Sequence, residues 1–350
     1  MKTAGLALAL ALAGSSLLFA QAPVVPCVTA TPVCTGWVAV KGPARSMVYT
    51  SHPLGVRNDA IRRALIMVHG TNRNADHYFS TSVAAAFLAG ALNDTIGIAP
   101  HMIDRTDPKQ ENEVVWATSW RTGGPADDDP RLSSFDFMDA IVKKLADNAT
   151  FPNMRAIVVA GHSAGGQFVN RYEMSNKVHD SLGVPMTYVV ANPSSYAWPA
   201  AVRPQPMGDA DPAAAKDGWS LTPDTAVHTN FTFGPYDAAQ SPTFNRWPMG
   251  LEARAGYTEI LSDDQLRKQL VARPTTYLLG QVDTLPLGGF DSSPNAMAQG
   301  PTRRSRGEAF VKFVNEHLGA THAVQIVPEC GHNDRCMFTT DAVLSVLFPR

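Results

Sequence analysis

The run Gly161-His162-Ser163-Ala164-Gly165 is a Gly-x-Ser-x-Gly pattern, preceded by an apolar strand-like stretch (155–160) and followed by a helical pattern. This order can hold a serine on a sharp strand-to-helix turn, with its hydroxyl pointing out of a sheet. Glycines beside the serine avoid clashes where backbone segments approach closely. The pattern therefore predicts Ser163 as a nucleophile. A structural Gly-Ser turn is the alternative.

A serine hydroxyl is a weak nucleophile unless a base lies within hydrogen-bond reach and a third group orients that base. In open α/β sheets such groups gather at the carboxyl ends of strands. Among ten histidines, His332 is the one that follows the last predicted strand and precedes a helix. Asp283 is the carboxylate that ends a strand between Ser163 and His332. We predict His332 as the base and Asp283 as the orienting acid, against an ordinary surface histidine and a turn-forming aspartate.

The developing oxyanion on an attacked carbonyl requires preorganised donors. The backbone N–H of Ala164, at the start of the helix after the serine, is the first expected donor. The second should come from the loop after the strand 64–68, where Thr71 is the first choice and Asn72 the second. Gly70 would let this loop approach the substrate closely.

These residues need strand ends for support, and the chain alternates strand and helix patterns. Continuous apolar runs indicate strands that are buried on both faces. Alternation of this kind predicts an α/β fold with a doubly wound, mostly parallel sheet, preceded by an antiparallel pair. The expected strands are 37–40, 46–50, 64–68, 95–98, 155–160, 186–191, 275–280 and 323–327, and the expected helices are 76–92, 135–147, 167–182, 262–271, 304–318 and 341–347.

The bulk composition favours one globular domain. The chain has 350 residues, of which 45% are hydrophobic and 17% charged, enough for a sizeable core. We expect a single domain over 23–350, with a loop-rich, lid-like insertion at 192–256. A net charge of −2 gives no reason to expect nucleic acid as a partner.

The N-terminus resembles a secretory signal peptide over residues 1–22. Lys2 is followed by the apolar run 6–19 and by the small-x-small site Ala20-Gln21-Ala22. Cleavage after Ala20 and retention as a membrane anchor are the alternatives. We expect a secreted protein, extracellular or periplasmic, without a membrane span after cleavage.

Four cysteines remain after that segment, an even number that suggests disulfides in an exported chain. Proximity favours Cys27–Cys34 and Cys330–Cys336, while a zinc site and free thiols are the alternatives. The second loop would restrict the backbone that carries His332. The acidic run 127–129 lacks a calcium-loop pattern and is interpreted as a solvated turn. We expect no metal and no cofactor.

Together these residues resemble the α/β-hydrolase family. The chain order Ser163, Asp283, His332 is that family's order of nucleophile, acid and histidine, and His69-Gly70 matches its first oxyanion loop. The resemblance spans roughly residue 37 to the C-terminus and implies a serine hydrolase that works through an acyl-enzyme. The Gly-His-Ser-Ala-Gly-Gly run is distantly similar to extracellular polyester depolymerases and feruloyl esterases.

Carboxylic esters, soluble, aromatic or polymeric, are the expected substrates. Amide hydrolysis, including cleavage of a polyamide such as poly(aspartic acid), uses the same residues and remains open, as does a non-catalytic binding module. Aromatic side chains in the irregular segments could contact the substrate or pin the loops to the body. The tryptophans in these segments are Trp116, Trp120, Trp198, Trp219 and Trp247, and the first three are the candidate substrate contacts.

Overall fold

The computed structural model describes residues 25–206 and 231–350. The expected signal segment, 1–22, and Trp219 lie outside the described residues. Ten strands are present in the described part of the chain. They are β1 (Thr35–Lys41), β2 (Ala44–Thr50), β3 (Arg63–Val68), β4 (Thr95–Pro100), β5 (Ala156–His162), β6 (Met186–Ala191), β7 (Val202–Pro206), β8 (Phe231–Pro235), β9 (Thr275–Gly280) and β10 (Ala323–Val327).

Helices separate most of these strands, as the alternating pattern predicts. The described helices are α1 (Ala75–Leu88), α2 (Ser134–Leu145), α3 (Ala164–Ser175), α4 (Asp263–Ala272), α5 (Pro294–Met297), α6 (Arg303–Leu318), α7 (Asp334–Thr339) and α8 (Asp341–Leu347). The sequence did not predict the short helices α5 and α7 or the strands β7 and β8.

Eight strands form one sheet in the order β1-β2-β4-β3-β5-β6-β9-β10. The pairs β1–β2 and β2–β4 are antiparallel, and all pairs from β4 to β10 are parallel. The predicted fold class, a mostly parallel α/β sheet, is therefore confirmed. The strand β5 lies in the middle of the sheet, and β10 lies at one edge.

Successive side chains of each strand point to opposite faces of the sheet, so the core consists of one cluster on each face. In β3 the side chains of Ile66 and Val68 join the cluster that packs against α2, α3 and α6. Leu65 and Met67 point to the opposite face, where α1, α7 and α8 cover them. Because both faces are covered, β3 to β6 read as continuous apolar runs rather than alternating ones.

The helix boundaries follow local capping chemistry. Ser133 caps α2 in a reciprocal arrangement with Asp136, as its sequence suggests. The helix expected at 167–182 instead begins at Ala164 and ends at Ser175. It ends because Asn176 is extended, and its side-chain amide donates to the Tyr172 carbonyl oxygen at 2.9 Å.

The described part of segment 192–256 is mostly irregular and contains the small antiparallel sheet β7–β8. Trp247 anchors it to the body by donating from Nε1 to the Thr122 carbonyl oxygen at 3.0 Å. None of the described helices combines the length and apolar content that crossing a membrane requires.

Candidate active site

Ser163 lies between β5 and α3 with φ at 59° and ψ at −118°, a conformation that side chains rarely adopt. Close backbone packing holds this turn. A Cβ at Gly161 would overlap the Gly165 carbonyl oxygen, and one at Gly165 would overlap the Val68 carbonyl oxygen. Both positions therefore require glycine, because the backbone of the turn packs directly against its own residues and against the end of β3.

The structure brings the three predicted residues together at the carboxyl ends of β5, β9 and β10. His332 Nε2 lies 2.9 Å from Ser163 Oγ, and His332 Nδ1 lies 2.9 Å from Asp283 Oδ2. Ser163 is 7% exposed and Asp283 is 2% exposed, so the contacts are sheltered from bulk water. A hydroxyl, an imidazole and a carboxylate in this order can activate the hydroxyl as a nucleophile.

A backbone hydrogen bond and a disulfide fix the loops that carry His332 and Asp283. The Val282 N–H donates to the Cys330 carbonyl oxygen at 3.0 Å, joining the two loops directly. A disulfide between Cys330 and Cys336 encloses His332, and the other disulfide joins Cys27 to Cys34. These are the two local pairings that sequence proximity favours.

Asn192, at the end of β6, connects the same two loops and was not identified from the sequence. Its Oδ1 accepts from the Gly280 N–H at 2.8 Å, while its Nδ2 donates to the Gly331 carbonyl oxygen at 3.2 Å. The residue has φ at 44° and is fully buried. An asparagine tolerates this backbone better than most residues, which is the one signal that its sequence offers.

The candidate oxyanion donors lie on both sides of the serine. As the first residue of α3, Ala164 has an N–H without an acceptor inside the helix. Gly70 is buried beside the serine, and a Cβ on it would lie 3.7 Å from Ser163 Cβ. Thr71 is exposed at the next position. This placement keeps Ala164 and Thr71 as candidates for the two donors.

His69 and His162 are buried near the candidate site, where they make hydrogen bonds and ring contacts. His69 Nε2 accepts from the Met102 N–H at 3.1 Å, which leaves Nδ1 to donate to the Gly70 carbonyl oxygen at 2.9 Å. Burial lowers the pKa of His69 to about 3, so it stays neutral. His69 thus fixes the backbone at the start of the loop that carries the candidate donor Thr71.

His162 is buried with its ring centroid 4.6 Å from that of His332. Its Nδ1 lies 3.2 Å from the Tyr78 hydroxyl oxygen. Burial lowers the pKa of His162 well below its usual value, and the neighbouring His332 and Arg303 lower it further. A neutral imidazole therefore packs against the ring of the candidate base.

The three tryptophans expected to contact substrate are buried. Trp116 is stacked with Phe137 at 5.9 Å and donates from Nε1 to Ser46 Oγ at 3.1 Å. Trp198 packs edge-on to Phe310 at 5.6 Å within the core cluster. Both are fully buried, so the structure does not support substrate contact by either.

Trp120 is 2% exposed and packs 4.7 Å from the ring of His69. It therefore packs against the residue that precedes the candidate oxyanion loop. All three tryptophans are buried although they lie in irregular segments, because an irregular backbone does not imply exposure. Large aromatic side chains contribute much buried area and fix long loops to the core.

Residues 65–345 match the model of the alpha/beta hydrolase family, so the chain belongs to this family. Family membership supports a hydrolase activity. A poly(3-hydroxybutyrate) depolymerase from Bordetella parapertussis, LpqC, is a similar solved structure, with 21% identity, a TM-score of 0.55, and coverage of 87% of this chain and 89% of that one.

Poly(aspartic acid) hydrolase-1 from Sphingomonas sp. KT-1 is also similar, with 18% identity, a TM-score of 0.54, and coverage of 87% of this chain and 94% of that one. At these identities the two likenesses concern the fold. None of the curated proteins matches the chain.

Proposed function

We propose that this protein is a secreted serine hydrolase that cleaves carboxylic esters through an acyl-enzyme. The observation that carries the proposal is the continuous contact of Ser163 Oγ, the His332 imidazole and the Asp283 carboxylate, with 2.9 Å at both hydrogen bonds. The two disulfides and the signal-like N-terminus support export. We further propose one catalytic domain over 23–350, with segment 192–256 as its insertion.

In the first half of the reaction Ser163 Oγ attacks the ester carbonyl carbon while His332 Nε2 takes the hydroxyl proton. Asp283 holds the ring so that Nδ1–H points to the carboxylate and stabilises the imidazolium. The N–H groups of Ala164 and Thr71 bind the oxyanion of the tetrahedral intermediate. Its collapse breaks the bond to the alkoxy oxygen, which takes the proton from His332 and leaves as the alcohol.

Water completes the cycle. It gives a proton to His332 Nε2 as its oxygen attacks the acyl carbon, and the bond to Ser163 Oγ then breaks. The serine oxygen recovers the proton and the carboxylic acid is released. No metal or cofactor takes part in this scheme.

The Ser163→Ala variant tests the proposal. We expect it to lose covalent labelling by a fluorophosphonate and to lose more than about a thousandfold of its esterase kcat. Ser195→Ala is the matched control, because Ser195 is a fully buried serine nearby whose Oγ accepts from Gln167 Nε2 at 2.7 Å. Labelling that survives in Ser163→Ala, or disappears equally in the control, contradicts the proposal.

A substrate panel tests the ester preference. Nitrophenyl esters of increasing acyl length, matched anilides, and soluble and polymeric polyesters and polyamides should be compared at equal enzyme concentration. We expect turnover of esters to exceed that of matched amides. Faster cleavage of an amide or of poly(aspartic acid) would replace the ester assignment while leaving the serine mechanism intact.

A further inference from the structure

Arg303 lies behind Asp283 at the start of α6, and its side chain is completely buried. Its Nη1 lies 3.3 Å from Asp283 Oδ1, and its Nε donates to Ser194 Oγ at 2.8 Å. Its Nη2 donates to two backbone carbonyl oxygens, at 2.6 Å to Leu287 and 2.9 Å to Gly288. A planar guanidinium can make all these contacts at once, whereas an ammonium cannot.

The carboxylate of Asp283 therefore has different partners on its two oxygens. Oδ2 faces His332 Nδ1, and Oδ1 faces Arg303. The side chain of Asp283 is only 2% exposed, so water screens neither contact effectively. A fixed positive charge at Oδ1 balances part of the negative charge that would otherwise act on the imidazole alone.

Arg303 also fixes the segment after Asp283, which we name the acid loop (residues 283–291). Gly288 in this loop has φ at +57°, and a Cβ on it would lie 2.8 Å from His332 Cδ2. The acid loop thus packs against the edge of the His332 ring. The two carbonyl bonds from Arg303 hold the loop in this contact from beneath.

We propose that Arg303 is a positioning residue of the active site, which sets the charge balance of the Asp283–His332 pair and holds the acid loop against His332. The inference rests on the proposed function, because it assigns a role relative to those two residues. A residue that only filled space at this position would affect stability and not the protonation of the pair.

Three of the other ionisable groups near the pair, His162, Tyr196 and Arg306, each keep one charge state around neutral pH. Burial keeps the pKa of His162 well below its usual value and raises the pKa of Tyr196 well above it, so both stay neutral. Arg306 stays protonated although burial lowers its pKa to about 9. Asp291 accepts from the Ser293 N–H at 3.0 Å, and Arg304 is paired with Glu308 at 3.0 Å.

Arg303→Gln removes the charge and keeps part of the hydrogen bonding. Without the guanidinium, the Asp283–His332 pair binds a proton more readily, and a protonated base cannot accept the serine proton. We expect the fall of kcat/KM on the acid side to move to higher pH by about one unit. The same shift should appear in the rate of fluorophosphonate labelling, which reports on the folded fraction alone.

Arg303→Lys keeps the charge but cannot reach both carbonyl oxygens of the acid loop. We expect kcat to fall by about tenfold, since the ring position is less well fixed, while the acid side of the pH profile stays in place. This variant keeps the proposal testable if Arg303→Gln does not fold. A shifted profile in Arg303→Lys contradicts the charge argument, and an unchanged kcat contradicts the positioning argument.

Arg306→Gln is the matched control. Arg306 is also fully buried in α6, and it donates to the Gly300 carbonyl oxygen at 2.7 Å. It also donates at 2.9 Å to the carbonyl oxygen of Asp291, the last residue of the acid loop, but it makes no hydrogen bond to Asp283, so it controls for the charge argument. We expect it to lower the melting temperature while the pH profile moves by less than about 0.3 unit. Equal shifts in both glutamine variants, or none in Arg303→Gln, overturn the inference.

Wild-type labelling separates this inference from the proposed function. If Ser163 is not labelled in the wild-type protein, the proposed function is wrong, and the role of Arg303 that rests on it is wrong as well. If Ser163 is labelled with the same acid side in wild type and Arg303→Gln, the hydrolase mechanism stands and only the role of Arg303 is wrong.

Discussion

Glu173 lies in α3 below the candidate active site and is completely buried. Its Oε1 accepts from the Tyr277 hydroxyl and from Asn170 Nδ2, the latter at 3.0 Å. Its Oε2 is buried without a hydrogen-bond partner among the described residues. Burial is the main reason that the pKa of Glu173 rises from 4.5 to about 7, although its hydrogen bonds act in the opposite direction.

Because the pKa of Glu173 is raised in the folded protein, its contribution to the free energy of unfolding decreases as the pH rises. The folded protein holds the proton more tightly than the unfolded chain, so the protonated glutamate stabilises the fold most fully below about pH 4.5. That contribution is lost as the pH rises through about 7. The difference between 4.5 and about 7 corresponds to about 3 kcal/mol of unfolding free energy.

Glu173→Gln replaces the carboxyl with an isosteric amide that is neutral at every pH. We expect its free energy of unfolding to be close to that of wild type at pH 4.5. At pH 8 the variant should be more stable by about 2–3 kcal/mol, because only the wild type has lost the stabilising proton.

Urea unfolding without reductant, followed by circular dichroism between pH 4.5 and 8, measures this difference. Glu316→Gln is the control, since Glu316 is 58% exposed near the end of α6 and should show nearly the same difference at each pH. The reasoning is refuted if the stability gain of Glu173→Gln is independent of pH, or if the variant becomes relatively less stable as the pH rises.

Two further substitutions test the architecture of the site. Gly165→Ala places a Cβ against the Val68 carbonyl oxygen, and we expect loss of soluble yield and of fluorophosphonate labelling. Gly55→Ala, where a Cβ meets no atom within 4 Å, should retain both. Trp116→Phe removes the bond to Ser46 and should lower unfolding stability by about 1 kcal/mol while KM stays within about twofold, measured by urea unfolding and ester kinetics. A large rise in KM would indicate instead that Trp116 contributes to substrate binding.

The sheet and the three central site residues could be predicted because local signals specify them. Buried strands read as continuous apolar runs, and the carboxyl end of each strand is a position that the sequence marks. Asp283 and His332 were predicted from that rule, and Ser163 was predicted from the Gly-x-Ser-x-Gly pattern between a strand and a helix. Glycine spacing at the elbow added a backbone requirement that few other residue types meet.

Arg303 and Asn192 were not predicted, because no local sequence signal marks their roles. Their contacts join segments far apart in the chain, 139 residues apart for Asn192 and Gly331, and no local pattern marks the partner of a buried polar group. The burial of Trp116, Trp120 and Trp198 could not be predicted either, because exposure depends on tertiary packing. Trp116 is buried in a loop whose sequence looks irregular and polar.

The candidate nucleophile follows a central strand of the sheet, whereas the candidate base follows an edge strand. Ser163 follows β5, which has hydrogen-bonded neighbours on both sides, while His332 follows β10, the last strand in the sheet order. Edge strands open more often than central ones in native-state fluctuations. Partial opening at β10 would move His332 away from Ser163 while the serine turn stays intact, so we expect heat to abolish fluorophosphonate labelling before the sheet unfolds. The disulfide around His332 and the bridge from Asn192 lie where they oppose that early loss.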